Sequence, residues 1–199
     1  WEPKVCRDLP LGLRVLAKLS GAPEEVFRAR LFMSFGFALP EVPIASPEDV
    51  SDAVISALSS SEAWALFTHW TQGPLRYRLS WAKGGKRRAA VFHIASEVSK
   101  RRPGLQNDPR ESLWQAVVYE SKRAVRVELV PRLSDPRFAY RAGDVPAASH
   151  PTIAALIAHV SGARADDVVW DPFVGSGLEL CERSLRGPYR ILMGSDRDA

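Results

Sequence analysis

Cysteine is scarce. Cys6 and Cys181 are the only two among 199 residues, too few for a disulfide framework. With four scattered histidines they show no zinc-ligand spacing either. The expectation is two reduced thiols and no metal. Long apolar runs are also missing, and none approaches the ~18–20 residues that a membrane helix needs. Trp1 stands where an initiator Met would, followed by polar residues. With no signal peptide, this reads as a cytoplasmic chain trimmed from something longer. No internal repeat and no low-complexity tract is found. What remains is an ordinary globular balance, 46% hydrophobic and 25% charged, which excludes disorder for most of the chain and leaves room for one large domain or two small ones.

The net charge of +4 hides its distribution. Residues 1–73 sum to −3, 104–143 to +2 and 144–199 to −3. Residues 74–103 carry nine Lys and Arg against Glu97 alone, a net of +8. Positive charge concentrated in this way is what a phosphate backbone selects, through neutralisation and counterion release. The candidate contacts are Arg76, Arg78, Lys83, Lys86, Arg87, Arg88, Lys100, Arg101 and Arg102. The plainer alternative is a solvated face.

Periodicity divides the chain into three parts. Residues 1–73 read as mostly helical. Leu9, Leu13, Leu16 and Leu19 have helical spacing, and Ala22–Phe37 reads as a second helical segment. A Pro-rich connector runs over 40–47. Ser46, Pro47, Glu48 and Asp49 then supply helix-start chemistry ahead of the stripe Val50, Ala53, Val54, Ala57 and Leu58. A short helix over 62–70 stops at Gly73-Pro74. Residues 74–141 mix strands and helices as an α+β region. Leu75, Tyr77, Leu79 and Trp81 alternate with Arg76, Arg78 and Ser80 as a half-buried strand, and a basic Gly-containing turn covers 83–88. A helix through Val91, Ile94, Ala95 and Val98 ends at Lys100-Arg101-Arg102, and strands follow over 111–119 and 125–129. Residues 142–199 read helix, strand, loop, helix, strand, which is the opening of a doubly wound parallel sheet. The fold class is therefore α/β overall.

The stretch that carries chemistry is Val168-Val169-Trp170-Asp171-Pro172-Phe173-Val174-Gly175-Ser176-Gly177-Leu178-Glu179-Leu180. A buried strand enters a Gly-Ser-Gly turn that opens a helix. The glycines allow a tight turn and a close ligand approach. Asp171 stands at the carboxyl end of the strand, where α/β sheets bind ligands. Asp196 follows Gly177 by nineteen residues, at the end of the next strand, where an acid can accept hydrogen bonds from a ribose diol. No Lys-Ser/Thr follows the turn, so it is not a nucleotide P-loop, and it lacks the third glycine of the dinucleotide fingerprint. An acid beside the turn disfavours a pyrophosphate and favours a ligand with a cationic end, such as an amino-acid ammonium.

The Asp-Pro-Phe-Val-Gly-Ser-Gly-Leu run with the following Ser-Asp strand end resembles motif I of the THUMP-domain-containing, S-adenosylmethionine-dependent RNA (guanine-N2) methyltransferases. Their motif usually reads Asp-Pro-Met/Phe-Cys-Gly-Ser-Gly-Thr; Val174 stands here for Cys and Leu178 for Thr. Upstream, Phe138-Ala139-Tyr140-Arg141 and Val145 to Ile153 are similar in order and spacing to the family's Arg-rich segment and turn. Residues 74–141 look like a diverged THUMP domain, through the basic strand, the helix with a basic end, Asn107-Asp108-Pro109 and the closing strands. The resemblance implies S-adenosylmethionine as cofactor, held by Asp171, Pro172, Phe173, Gly175, Ser176, Gly177 and Asp196. It implies a structured RNA partner, tRNA or ribosomal RNA, bound by the basic block, and hence a role in RNA processing.

The family's catalytic Asn/Asp-Pro-Pro-Tyr/Phe tetrapeptide is missing, since the chain has no Pro-Pro pair. The expectation is an N-terminal fragment of such an enzyme, inactive alone. Two readings compete with it. One is a non-catalytic RNA-binding protein with a relic methyltransferase fold; the other is a methyltransferase for a different substrate, such as DNA. Other residues read as structural: His69, His93 and His159 as packed or surface histidines, Cys181 as core-lining, and Trp64, Trp70, Trp81 and Trp114 as core. His150, just before the helix that leads to the motif, is a candidate neighbour of the ligand.

Overall fold

Around Ser46 the local chemistry settles the structure. The Asp49 carboxylate accepts hydrogen bonds from the Ala45 and Ser46 amides at 3.0 and 2.7 Å. These bonds hold its carboxyl below the usual aspartate value. A short 3-10 turn over Pro47–Asp49 leads into helix α1, Val50–Leu58, which buries Ala53, Val54, Ile55, Ala57 and Leu58. The next helix, α2, spans Ser61–Trp70, and the Ser60 hydroxyl caps it by accepting from the Ala63 amide at 3.1 Å. The computed structural model describes residues 26, 28–85, 87–132, 136–141 and 148–197, with the backbone alone of 4–6 and 14–16.

The chain is a mixed α/β protein of two units. One comprises Ser34–Ser134; the other comprises Trp1–Met33 with Asp135–Ala199. In the second unit, strands β1 (Lys4–Cys6) and β2 (Arg14–Leu16) pair antiparallel. This corrects the helical reading of 9–19 within 14–16; the rest of that stretch lies outside the described residues.

In the unit 34–134 the remaining strands are β3 (Phe37–Ala38), β4 (Val42–Pro43), β5 (Leu75–Trp81), β6 (Leu105–Asn107), β7 (Trp114–Glu120) and β8 (Ala124–Pro131). The sheet order is β3-β8-β7-β5-β6, with β4 also on β8. β5 runs parallel to β6 and β7, and β7 and β8 form an antiparallel hairpin with Glu120 opposite Val125. Helix α3, Arg88–Arg101, connects β5 to its parallel neighbour β6. The helical reading of 22–37 is corrected too: residues 29–36 are irregular, and Phe37–Ala38 pairs with Leu129 and Glu128.

Alternation puts Tyr77, Trp81, Trp114, Ala116, Val118, Val125, Val127 and Leu129 on one sheet face, in one core with Val54, Leu58 and Phe67 of the first two helices and with Ile94 and Val98 of α3. Segment 34–73, read from sequence as part of a helical N-terminal region, thus shares its core with the sheet. Trp114 lies edge-on to Phe67 at 5.5 Å between centroids, and its indole nitrogen donates to Thr71 Oγ1 at 2.8 Å. All four tryptophans expected in the core pack there, Trp81 and Trp114 buried and Trp64 and Trp70 partly so.

The second unit continues with α4 (Pro151–Val160), β9 (Val168–Asp171), α5 (Leu178–Leu185) and β10 (Ile191–Gly194). β9 and β10 pair in parallel, as the doubly wound reading requires. Among the described residues no helix is long and apolar enough to cross a membrane.

Candidate functional site

The loop between β9 and α5 is built from short backbone hydrogen bonds. Asp171 ends β9 opposite Gly194, the end of β10. Its carbonyl accepts from the Ser195 amide at 2.9 Å, and its Oδ1 accepts from the Phe173 amide at 3.0 Å. Val174 N donates to Ser195 O at 2.9 Å, so the loop is laced to the end of β10. Gly177 N then donates to Val174 O at 2.6 Å, and α5 starts from Gly177. Gly175 and Gly177 hold φ of +47° and +74°, the left-handed region that glycine tolerates. A Cβ at Gly177 would meet nothing nearer than 4.0 Å, so its outer side is open.

Asp196 comes back to the same loop, its Oδ2 accepting from the Gly175 amide at 2.8 Å. The strand-end acid, the glycine turn and the second strand-end acid, assigned separately from sequence, lie in one place. Pro172, Phe173 and Ser176 are exposed on the loop, Phe173 by 86%. Sequence reasoning named Val174 and Ser195 within the motif and gave them no role in the site. Val174 packs so closely on Gly194 that a Cβ there would fall 2.5 Å from its Cγ2. The Ser195 hydroxyl accepts from the Trp170 indole at 3.2 Å and donates to Pro172 O at 3.4 Å. A glycine ending an apolar strand was the signal for the first.

His150 is a helix cap. Its Nδ1 accepts from the Thr152 amide at 3.3 Å and lies 2.8 Å from Thr152 Oγ1. Cys181, expected to line the core, is exposed. The inward face of α5 instead carries Leu178, Glu182 and Arg183. Glu182, 1% exposed, receives a two-pronged bond from Arg30, at 2.8 Å from Nε and 2.7 Å from Nη2, and a short bond from the Tyr140 hydroxyl. Arg30 also stacks over the Phe138 ring at 5.0 Å. The bond to Glu182 raises the arginine pKa, and burial followed by the same carboxylate raises that of the Tyr140 phenol. The upstream Phe138–Arg141 segment is thereby fastened to the helix that leaves the loop.

Arg183 fixes the far end of both strands. It donates to Asp167 Oδ2 at 2.8 Å and to the carbonyls of Arg164, Gly187 and Pro188. The Arg164 amide and then the Arg183 guanidinium hold the Asp167 carboxyl below its ordinary value. A depressed carboxyl contributes stability above its unfolded pKa and loses it as pH falls through the folded one. The denaturation-midpoint gap between the parent and Asp167→Asn should therefore be full at neutral pH and close below about pH 4. A gap that does not narrow as the pH falls below about 4 would refute this role.

The basic block is less uniform than its charge sum. Arg76 faces Asp108 and Glu111 at 3.5 and 3.4 Å. Arg87 pairs with Glu120 and stacks over Trp81 at 5.2 Å. Lys100 pairs with Glu97 at 2.6 Å. Arg102 donates to Ser59 O at 2.8 Å and stacks over Trp64 at 5.5 Å. Lys83, Arg88 and Arg101 are exposed, Arg78 lies on the sheet face away from the core, and Lys86 lies outside the described residues.

No family model and no curated protein matches the chain. Solved structures do. TrmN from Thermus thermophilus aligns with a TM-score of 0.63 at 19% identity, over 91% of this chain and 54% of its own. A protein from Listeria monocytogenes, by name an N6-adenine-specific DNA methylase, aligns at 0.53 and 19%, over 84% and 46%. A third, by name a methyltransferase and solved with SAH, aligns at 0.53 and 16%, over 83% and 46%. The chain spans about half the length of these structures, and over that length it shares their fold.

Proposed function

We propose that the chain is the RNA-binding and cofactor-gripping portion of an S-adenosylmethionine-dependent RNA methyltransferase of the THUMP class, acting in the cytoplasm on guanine N2 of tRNA or ribosomal RNA. One observation carries this reading: Asp171, the left-handed Gly175 and Gly177, and Asp196 converge on a single loop over the ends of two parallel strands. The likeness to a fold solved with SAH supports it.

The residues present suit this cofactor. Two carboxylates flank a glycine backbone whose outer side a Cβ would fill, and the cofactor has a cationic amino-acid end and a ribose diol. Asp171 would take the ammonium and Asp196 the ribose hydroxyls, with Gly175, Ser176 and Gly177 giving close backbone approach and Pro172 and Phe173 walling the edge. When bound, the cofactor supplies a methyl group already activated on a sulfonium, so the protein's part is mostly positioning. The amine-gripping tetrapeptide, absent from these 199 residues, would come from other polypeptide. Residues 74–141 serve as the THUMP-like RNA-binding region, completed by segment 34–73 of the N-terminal region 1–73, which shares its core, and 142–199 form the start of the methyltransferase sheet.

Calorimetric titration of the chain with S-adenosylmethionine tests this. Saturable binding is expected, weakened about ten- to a hundredfold by Asp196→Ala, the loss of a charge-assisted hydrogen bond. Absence of binding, or an Asp171→Ala/Asp196→Ala variant that binds as well as the parent, would remove the cofactor assignment.

A further inference from the structure

The peptide group between Pro172 and Phe173 is held at both ends. Its N–H donates to Asp171 Oδ1 at 3.0 Å. Its carbonyl accepts from the Ser195 hydroxyl at 3.4 Å. Ser195 Oγ in turn lies 3.2 Å from the Trp170 indole nitrogen. Chemistry fixes the proton directions in this series. An indole N–H only donates and a carbonyl only accepts, so the hydroxyl takes its hydrogen bond from Trp170 and gives its own proton to Pro172 O. A chain of hydrogen bonds therefore runs from the Trp170 ring, through Ser195 and one peptide plane, to the Asp171 carboxylate. The main chain of Ser195 is fixed independently, its amide on Asp171 O and its carbonyl on the Val174 amide, both at 2.9 Å. The hydroxyl is the part of Ser195 that the strand ends do not need.

Ser195 is exposed and Trp170 is 64% exposed, so neither side chain is there to fill a core. What the series accomplishes is orientation. One oxygen of Asp171 is committed to the Phe173 amide, and that peptide group cannot turn without breaking its bond to Ser195. Side chains that hold a binding group's hydrogen-bond partners in place set its direction before the ligand arrives. Asp196 needs no such series, since its Oδ2 accepts directly from the Gly175 amide. We propose that Ser195 and Trp170 are positioning residues for Asp171, aiming its carboxylate at the ammonium of the cofactor's amino-acid end. They act through Asp171 and set how strongly the site prefers a ligand with that cationic end over one without it. This deepens the cofactor reading above and rests on it.

Two ligands separate this role from mere support of the loop. S-Adenosylhomocysteine carries the amino-acid end; 5′-methylthioadenosine keeps the nucleoside and the thioether and lacks it. Calorimetric titration of the chain should show the first binding more tightly. Ser195→Ala should weaken S-adenosylhomocysteine about three- to tenfold, the equivalent of one neutral hydrogen bond, and leave 5′-methylthioadenosine unchanged. Ser195→Thr, which keeps the hydroxyl at an exposed position, should retain the parent's preference. Trp170→Phe, which keeps a ring and removes the indole N–H, should shift the preference in the same direction as Ser195→Ala. Combined with Ser195→Ala it should change nothing further, because the two bonds act in series. Asp196→Ala, by contrast, should weaken both ligands alike through their shared ribose. Equal loss of both ligands in Ser195→Ala would make Ser195 a support of the loop alone and overturns the positioning role, as does no loss of either. A parent with no preference between the ligands overturns the aiming of Asp171 at an ammonium. A parent that binds neither overturns the cofactor reading itself.

Discussion

Glu182→Ala should lower the unfolding free energy by about 3 kcal/mol, in the range set by removing one partner of a buried ion pair. The lower end applies because the Arg30 side chain keeps a quarter of its surface exposed and can relax toward water. The substitution also strips Tyr140 of its acceptor. The pair itself is expected to contribute much less than its rupture costs. Arg30→Leu/Glu182→Leu should accordingly recover a substantial part of the loss, since neither charge is then left unpaired. Urea unfolding of the parent, Arg30→Leu, Glu182→Leu and the double variant measures this. Additive single and double losses would show that the two residues do not act together. Because Glu182 sits on the helix leaving the glycine loop, cofactor affinity should fall with it.

Gly194→Ala should cost about 1–3 kcal/mol, with loss of cofactor binding. The new methyl would lie 2.5, 2.8 and 3.1 Å from Val174 Cγ2, Cβ and Cγ1. The backbone φ of Gly194 lies outside the left-handed region, so the cost is steric and not conformational. The displaced Val174 holds the turn through its amide and its carbonyl, to Ser195 and from Gly177. Val174→Ala in the Gly194→Ala background removes two of the three contacts and should restore part of both stability and binding. No rescue would place the defect elsewhere.

Elements that carry their own instructions were readable in the sequence. The alternation of Leu75 to Trp81 predicts β5, and Ser46 to Asp49 announce α1, because strand period and cap chemistry are local. Short pieces were not. β3 and β4 are two residues each, and exist because β8 offers partners for Phe37 and Val42. Leu9 to Leu19 has helical spacing, yet Arg14–Leu16 is extended opposite Lys4–Cys6. In both cases a tertiary pairing overrides local preference. The motif loop was legible as backbone, since two glycines between a strand and a helix admit few conformations. Its reinforcement by Val174 and Ser195 depends on distances that no spacing rule contains. Charge counting found the basic block and could not see that Arg76, Arg87 and Lys100 each have a carboxylate beside them. Glu182 was hidden for the same reason, its partner lying 152 residues earlier.

That separation alters the entropy of closing the chain. Between Arg30 and Glu182 lies the whole unit 34–134, whose first and last strands are neighbours, Phe37 opposite Leu129. Once that unit has formed, the path from Arg30 to Glu182 no longer runs through every intervening residue. It passes from Arg30 to β3, steps across one strand pairing to β8, and goes on to α5, an effective loop of about 60 residues in place of 152. Loop closure grows as (3/2)RT ln n, so the shortcut reduces the ordering entropy opposing the Arg30–Glu182 pair by about 0.8 kcal/mol. Strand pairing within the unit 34–134 thus makes the glycine loop's own support easier to assemble.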